Sequence, residues 1–243
     1  MALNKKVFMT RTLTALVFAA VMLTGLLWNF WSFLVLFVVI HFGCWYEFIR
    51  LLKKMDASKY LQRVVWGLIY ITLPCALMIH LGFLGSEAAS LSIEDGLYES
   101  WPAHLTLVPI AIISAIWIND TMAYIVGSLI GKTPLSPVSP KKTWEGTIGG
   151  ILLSILATGF LFSRLYANVL DSNHLFEYRF GYWFIIAGIA AIAGTFGDLL
   201  ESKLKRMAGV KDSGQIMPGH GGFLDRFDSL LIAIPFVWLF VML

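Results

Sequence analysis

Residues 104–130, "HLTLVPIAIISAIWINDTMAYIVGSLI", decide the fold class. A helix of that length is about 40 Å long, more than the roughly 30 Å hydrocarbon core of a bilayer. Among Asp, Glu, Lys and Arg it holds Asp120 alone. Similar apolar runs recur at about 12–27, 29–49, 64–84, 147–166, 181–200 and 222–243, so seven spans are predicted. Composition points the same way. Of 243 residues 58% are hydrophobic and 14% charged, with mean hydropathy +0.77, which excludes an ordinary soluble domain. The expected fold is an all-α polytopic transmembrane bundle, a single integral membrane domain over 1–243. Its N-terminal spans occupy about 1–103 and its catalytic region about 104–243.

Loop charge orients this bundle. Lys5, Lys6 and Arg11 precede the first span, and Arg50, Lys53, Lys54, Lys59 and Arg63 follow the second. Lys132, Lys141 and Lys142 follow the fourth, while Lys203, Lys205, Arg206 and Lys211 follow the sixth. All four clusters fall on one side. The intervening loop at 85–103 carries Glu87, Glu94, Asp95 and Glu99 without Lys or Arg. The positive-inside rule then predicts a cytoplasmic N-terminus and an outside C-terminus. The first apolar run resembles a signal peptide, but no small-residue cleavage site is clearly placed after it, and it is read as a retained helix. Net charge +3 is weak grounds for nucleic acid, and no such partner is expected. Cys44 and Cys75 lie in apolar runs without metal-ligand spacing and read as packing residues.

Ionisable groups inside a span cost about 2.5–3.5 kcal/mol each on insertion scales, so those present face a polar interior or a partner. Three stretches stand out: "IWINDTMAYIVG" with Asn119 and Asp120, "GTFGDLLESKLKR" with Asp198, and "GGFLDRFDSLL" with Asp225, Arg226 and Asp228. Asp225 and Asp228 share a helix face. Clustered carboxylates call for a cation, and oxygen ligands alone suit Mg²⁺, one ion or two. Asp225 could instead pair with Arg226 or a lysine and stabilise a helix N-terminus. Positive charge stands on the cytoplasmic loops "VSPKKTWEGTIGG" and "ESKLKRMAGVKDSG", where glycines let backbone N–H groups approach phosphate. Those lysines could equally set topology or touch anionic lipid. Together with the carboxylates they point to a phosphate ligand that brings a metal. His220, flanked by glycines in "PGHGG", is open as a general acid, a phosphate donor or a turn residue.

From Ser202 to Asp228 the chain reads "SKLKRMAGVKDSGQIMPGHGGFLDRFD", which closely resembles the signature of the phosphatidate cytidylyltransferase (CDP-diacylglycerol synthase) family. Met217 departs from the usual Leu, Ile or Phe but fills apolar space in the same way. "NDTMAYIVGSLIGKTPLSPVSPKKTWEGTIGG" is similar to the family's other polar region, and "CWYEFIRLL" is weakly similar to a family segment containing a Glu. The resemblance implies an integral membrane enzyme that joins CTP to phosphatidate with Mg²⁺, releasing pyrophosphate and forming CDP-diacylglycerol. It would sit in a bacterial cytoplasmic membrane with its site at the cytoplasmic face, and the resemblance also suggests a homodimer. Carried over by residue, Asp198, Asp225 and Asp228 are the metal and catalytic carboxylates, joined by Lys211 and His220. The nucleotide side comprises Ser139, Lys142, Ser202, Lys205, Arg206, Lys211, Gly221, Gly222 and Arg226. Asp120 or Asp212 could supply a further acidic ligand. The rival readings are another CTP-using lipid transferase or kinase, and a cation-coupled transporter.

Overall fold

The computed structural model describes residues 5–94, 103–170, 176–214, 216 and 221–243. Its order is α1 (Lys5–Leu27), α2 (Phe30–Met55), α3 (Tyr60–Val64), a π-helical turn (Leu68–Thr72), α4 (Leu73–Glu94), α5 (Ala103–Ile130), β1 (Pro134–Ser136), β2 (Ser139–Thr143), α6 (Trp144–Leu170), α7 (Phe176–Met207) and α8 (Leu224–Met242). Helices thus stand at all seven places where spans were expected. Five stretches of the described residues are long and apolar enough to cross a membrane: Phe30–Met55, Tyr60–Leu84, Leu107–Ile130, Trp144–Leu165 and Gly181–Met207. The apolar part of α1 is the shorter Thr12–Leu27, and α8 begins with Asp225, Arg226 and Asp228. The protein is therefore a polytopic helical one. Exposed Leu16, Trp28, Trp31, Phe42, Leu152 and Phe160 are the apolar surface such helices offer to lipid rather than water.

The all-α polytopic architecture holds, with one small local addition between α5 and α6. The segment after α5 forms a two-stranded antiparallel ribbon with Pro134 opposite Thr143 and Ser136 opposite Ser139. Proline suits the first central position of a turn, where Pro137 stands, and the Val138 N–H donates to Ser136 Oγ at 3.3 Å. Glu145, in the first turn of α6, anchors the ribbon by accepting from the Lys132 and Thr133 N–H groups at 3.2 Å and from the Thr133 hydroxyl at 2.8 Å. Thr143 caps the same helix, its Oγ1 accepting from the Gly146 N–H at 3.1 Å. Five residues beside a helix start carry no apolar alternation, so sequence periodicity could not reveal them.

The chain divides into two compact units. The first combines Met1–Cys75 with Leu200–Asp228. Asn29 breaks its long apolar N-terminal run by a reciprocal cap: Asn29 Oδ1 accepts from the Ser32 N–H at 2.8 Å and Ser32 Oγ from the Asn29 N–H at 3.1 Å. Gly25 lets α1 turn back onto α2, because a Cβ there would lie 2.7 Å from Leu36. Between α2 and α3 the Ser58 hydroxyl and N–H donate to Asp56 at 2.7 and 3.0 Å, holding its carboxyl below the usual range. The π turn precedes Pro74, whose ring crowds the carbonyl four residues back in a regular helix. Its Thr72 Oγ1 accepts from Trp45 Nε1 at 2.9 Å and lies 3.0 Å from His41 Nε2. Cys44 and Cys75 are buried free thiols, as packing residues should be.

The second unit combines Ala76–Leu199 with Ser229–Leu243. Its closest helix pair is α5 and α6, joined along small residues spaced one turn apart. A Cβ at Gly146 would lie 2.6 Å from the Ala123 carbonyl, one at Gly150 would lie 2.8 Å from Ala123 and Asn119 backbone atoms, and the Ser154 hydroxyl donates to the Ala115 carbonyl at 2.7 Å. Close approach of this kind is how helices associate where apolar burial gives little drive. Gly150→Ala is accordingly expected to destabilise the protein by about 1–3 kcal/mol through overpacking. Thermal unfolding in detergent would show it, and an unchanged midpoint would contradict the packing described.

Candidate active site

In the second unit the end of α5, the ribbon, the start of α6 and Asp198 of α7 enclose a cavity of about 440 Å³. Helical spacing puts Asp120, Tyr124 and Gly127 on one lining face of α5, the ribbon contributes Ser139, Lys141 and Lys142, and α7 contributes Asp198. Lys142 Nζ lies 2.5 Å from Asp198 Oδ2, with both side chains about a third exposed at most, 32% and 26%. Two lysines and a serine therefore face the same space as two carboxylates. A phosphate chain suits the first group, and a divalent ion bound to that phosphate suits the second. Beside Asp120, Asn119 is 4% exposed, and its Nδ2 donates to Thr195 Oγ1 at 3.4 Å. That contact ties the polar turn of α5 to α7.

The first unit holds the signature. Its buried charge centres on Lys205, whose ammonium pairs with Glu201 one turn earlier on α7 and with Asp225 Oδ1 at 2.6 Å. The other oxygen of Asp225 accepts from the Ser213 N–H at 2.9 Å and the Gly222 N–H at 2.8 Å. An acid in the first turn that accepts from backbone N–H groups ahead of the helix satisfies donors that α8 itself cannot. Gly221 has φ +86°, a left-handed conformation that favours glycine. Helix α7 ends in a Schellman motif at Gly209, φ +66°, with Val210 N–H bonded to the Lys205 carbonyl and Gly209 N–H to that of Arg206. This reversal sends the chain from the Lys205 turn toward Ser213.

Sequence reasoning placed Ser139, Lys142 and Asp198 at the site, and all three line the cavity of the second unit. Ser202, Lys205, Arg206, Lys211, Gly221, Gly222, Asp225, Arg226 and Asp228 belong to the first unit. There Ser202, Gly222 and Asp228 are buried, Arg206, Lys211 and Arg226 are exposed, and Asp225 binds Lys205. His220 and Met217 lie outside the described residues. Among the described residues no three His, Cys, Asp or Glu side chains form a preset metal cage. Two acids were missed. Glu201 and Glu47 are both fully buried. Glu201 was legible as the partner four residues before Lys205. Glu47, in "CWYEFIRLL", is an intramembrane acid of the kind that singled out Asp120.

Proteins of known name resemble this chain. One named phosphatidate cytidylyltransferase, from Synechocystis sp., is 43% identical over 149 residues, which is 60% of this chain and 46% of the relative. Another of that name from Haemophilus influenzae is 43% identical over 141 residues, 57% of this chain and 47% of the relative. A third, from Thermotoga maritima, is 46% identical over 125 residues, 51% and 45% respectively. The chain spans about half the length of these relatives. The family model described as "Cytidylyltransferase family" matches residues 75–243. That stretch is more than half of the chain and contains both the cavity and the signature, so the chain belongs to the Cytidylyltransferase family.

Proposed function

We propose that the chain carries phosphatidate cytidylyltransferase activity, transferring the cytidylyl group of CTP to phosphatidate to give CDP-diacylglycerol and pyrophosphate. The observation that carries this reading is the cavity in which Lys141 and Lys142 face Asp120 and Asp198. The names of the three relatives support the substrates. A phosphate oxygen of phosphatidate, already anionic, forms a bond to the α-phosphorus of CTP as the bond from that phosphorus to the bridging oxygen breaks. The electron pair leaves with pyrophosphate, so no strong base is needed. Lys142, released from Asp198, and Lys141 would offset charge on the leaving group, the electrostatic form of stabilisation that usually dominates.

Mg²⁺ fits the donor set, since it is bound by one or two carboxylates together with phosphate and water oxygens. Asp198, with Asp120, would hold it, and it would supply charge neutralisation on the phosphates. Asp225 and Asp228, the further acids of the signature, were read as ligands as well. For Asp225 that role requires Lys205 to give up Oδ1, because the lysine ammonium already stands where a cation would sit. Lys211, Arg206 and Arg226 are the exposed cations of the signature and would meet the phosphates of either substrate, while Ser202 and Asp228, buried, would brace it. His220 keeps its place as a candidate on sequence grounds.

The same reading places the protein in a bacterial cytoplasmic membrane. Its seven predicted spans would all cross, with the N-terminus inside, the C-terminus outside and the site at the cytoplasmic face, where the lysine clusters lie. The family resemblance also suggests a homodimer. The test is pyrophosphate release from the purified protein in mixed micelles. We expect release only when CTP, phosphatidate and Mg²⁺ are all present. Release with another lipid acceptor at equal rate would redirect the assignment to a different lipid transferase.

A further inference from the structure

Glu47 is an acid in the C-terminal half of α2 with no exposure to solvent, and it lies outside residues 75–243, the stretch matched by the family. Its Oε2 accepts from the Ser213 hydroxyl at 2.6 Å and from the Leu224 N–H at 2.9 Å. Ser213 Oγ in turn accepts from the Asp225 N–H at 3.3 Å. Gly214 and Gly222 close over the carboxylate so tightly that a Cβ on either would collide with its oxygens. Glu47 Oε1 accepts no hydrogen bond among the described residues. A carboxylate inside a span costs about 2.5–3.5 kcal/mol on insertion scales, and leucine would fill the same space without that cost. What the acid alone provides is an acceptor for two donors that belong to opposite flanks of the signature, Ser213 before it turns and Leu224 where α8 begins.

The geometry points to Glu47 as a positioning residue that ties the two flanks of the signature, Ser213–Gly214 and Gly222–Asp225, into one arrangement. Through Ser213 it sets the group that supplies both an N–H to Asp225 Oδ2 and an acceptor to the Asp225 N–H. An N-terminal helix outside the matched stretch thereby fixes the conformation of the family's most distinctive segment. The functional half of this inference rests on the proposed transferase reading, while the structural half does not.

Two variants separate this role from space filling. Glu47→Gln keeps an oxygen for both donors and puts its amide nitrogen where Oε1 has no partner. Glu47→Leu keeps the volume and removes the acceptor. Space filling favours leucine, because a buried acid is gone; positioning favours glutamine. We expect amide exchange at Ser213, Gly222 and Leu224 in detergent to accelerate about tenfold or more in Glu47→Leu, the loss of two buried hydrogen bonds, with α5 amides unchanged and Glu47→Gln within about threefold of the parent. In the transferase assay Glu47→Leu should raise the KM for CTP about tenfold with a smaller fall in kcat, as when a competent conformation becomes less populated, and Glu47→Gln should restore it. Unchanged exchange in Glu47→Leu, or leucine tolerated better than glutamine, overturns the inference. Faster exchange with unaltered CTP kinetics upholds the hold on the flanks and counts against the signature's role in transfer. Should Glu47→Leu fail to fold, Ser213→Ala removes the hydroxyl from the other side, and no acceleration at Asp225 in that variant overturns the inference equally.

Discussion

Replacing Lys205 by methionine is expected to destabilise the protein by about 3–5 kcal/mol, the effect of removing one partner from a buried ion pair. The lysine side chain is 12% exposed and stands between Glu201, fully buried, and Asp225, 9% exposed. Methionine fills the stem's space but leaves two acids without their cation. Thermal unfolding in detergent should drop on the order of 10 °C for a chain of this size. Adding Glu201→Gln should recover part of the loss, since the two positions share one interaction and their effects cannot add. A Lys205→Met protein as stable as its parent would mean that the triad does not bind the signature to α7.

Lys142→Met should behave in the opposite way. Its ion pair with Asp198 is partly open to solvent, and such pairs contribute about 0–1 kcal/mol, so the fold should survive. Turnover should not. Loss of a donor aimed at developing negative charge lowers kcat by about 10²–10³-fold. The expected record is a normal unfolding midpoint with kcat for CTP-dependent pyrophosphate release reduced by that factor. If turnover stays within threefold, Lys142 serves the ribbon rather than the phosphates. The two lysines thus differ in kind, one inside the scaffold on α7 and the other in the cavity on β2, although the sequence marks both stretches with the same positive charge.

Apolar periodicity made the helices readable because a span must satisfy its own backbone, and long runs leave no other structure open to it. The break between the first two helices was read as well, and Asn29 and Ser32 make it by a cap. The exception arose where local hydrogen bonding decides: Glu145 gathers the ribbon through side-chain contacts with no periodic trace. Of the candidate site, charge out of place marked Asp120, Lys142 and Asp198, which line one cavity. Glu47 escaped because its partners are the backbone N–H of Leu224 and the hydroxyl of Ser213, well over a hundred positions away. No spacing rule joins residues so remote, and neither partner carries charge.

The contacts of Glu145 with Lys132 and Thr133 have a thermodynamic consequence. A loop that closes over a triphosphate only when the nucleotide arrives loses roughly 1–2 kcal/mol of backbone entropy for each residue it freezes. Residues 132–143 are already held, by Glu145 at one end, Thr143 at the other and strand pairing between. Their ordering occurs when the chain folds, so under the proposed function the attraction between the Lys141 and Lys142 ammonium groups and an incoming nucleotide would be available for affinity rather than spent on assembling the cradle.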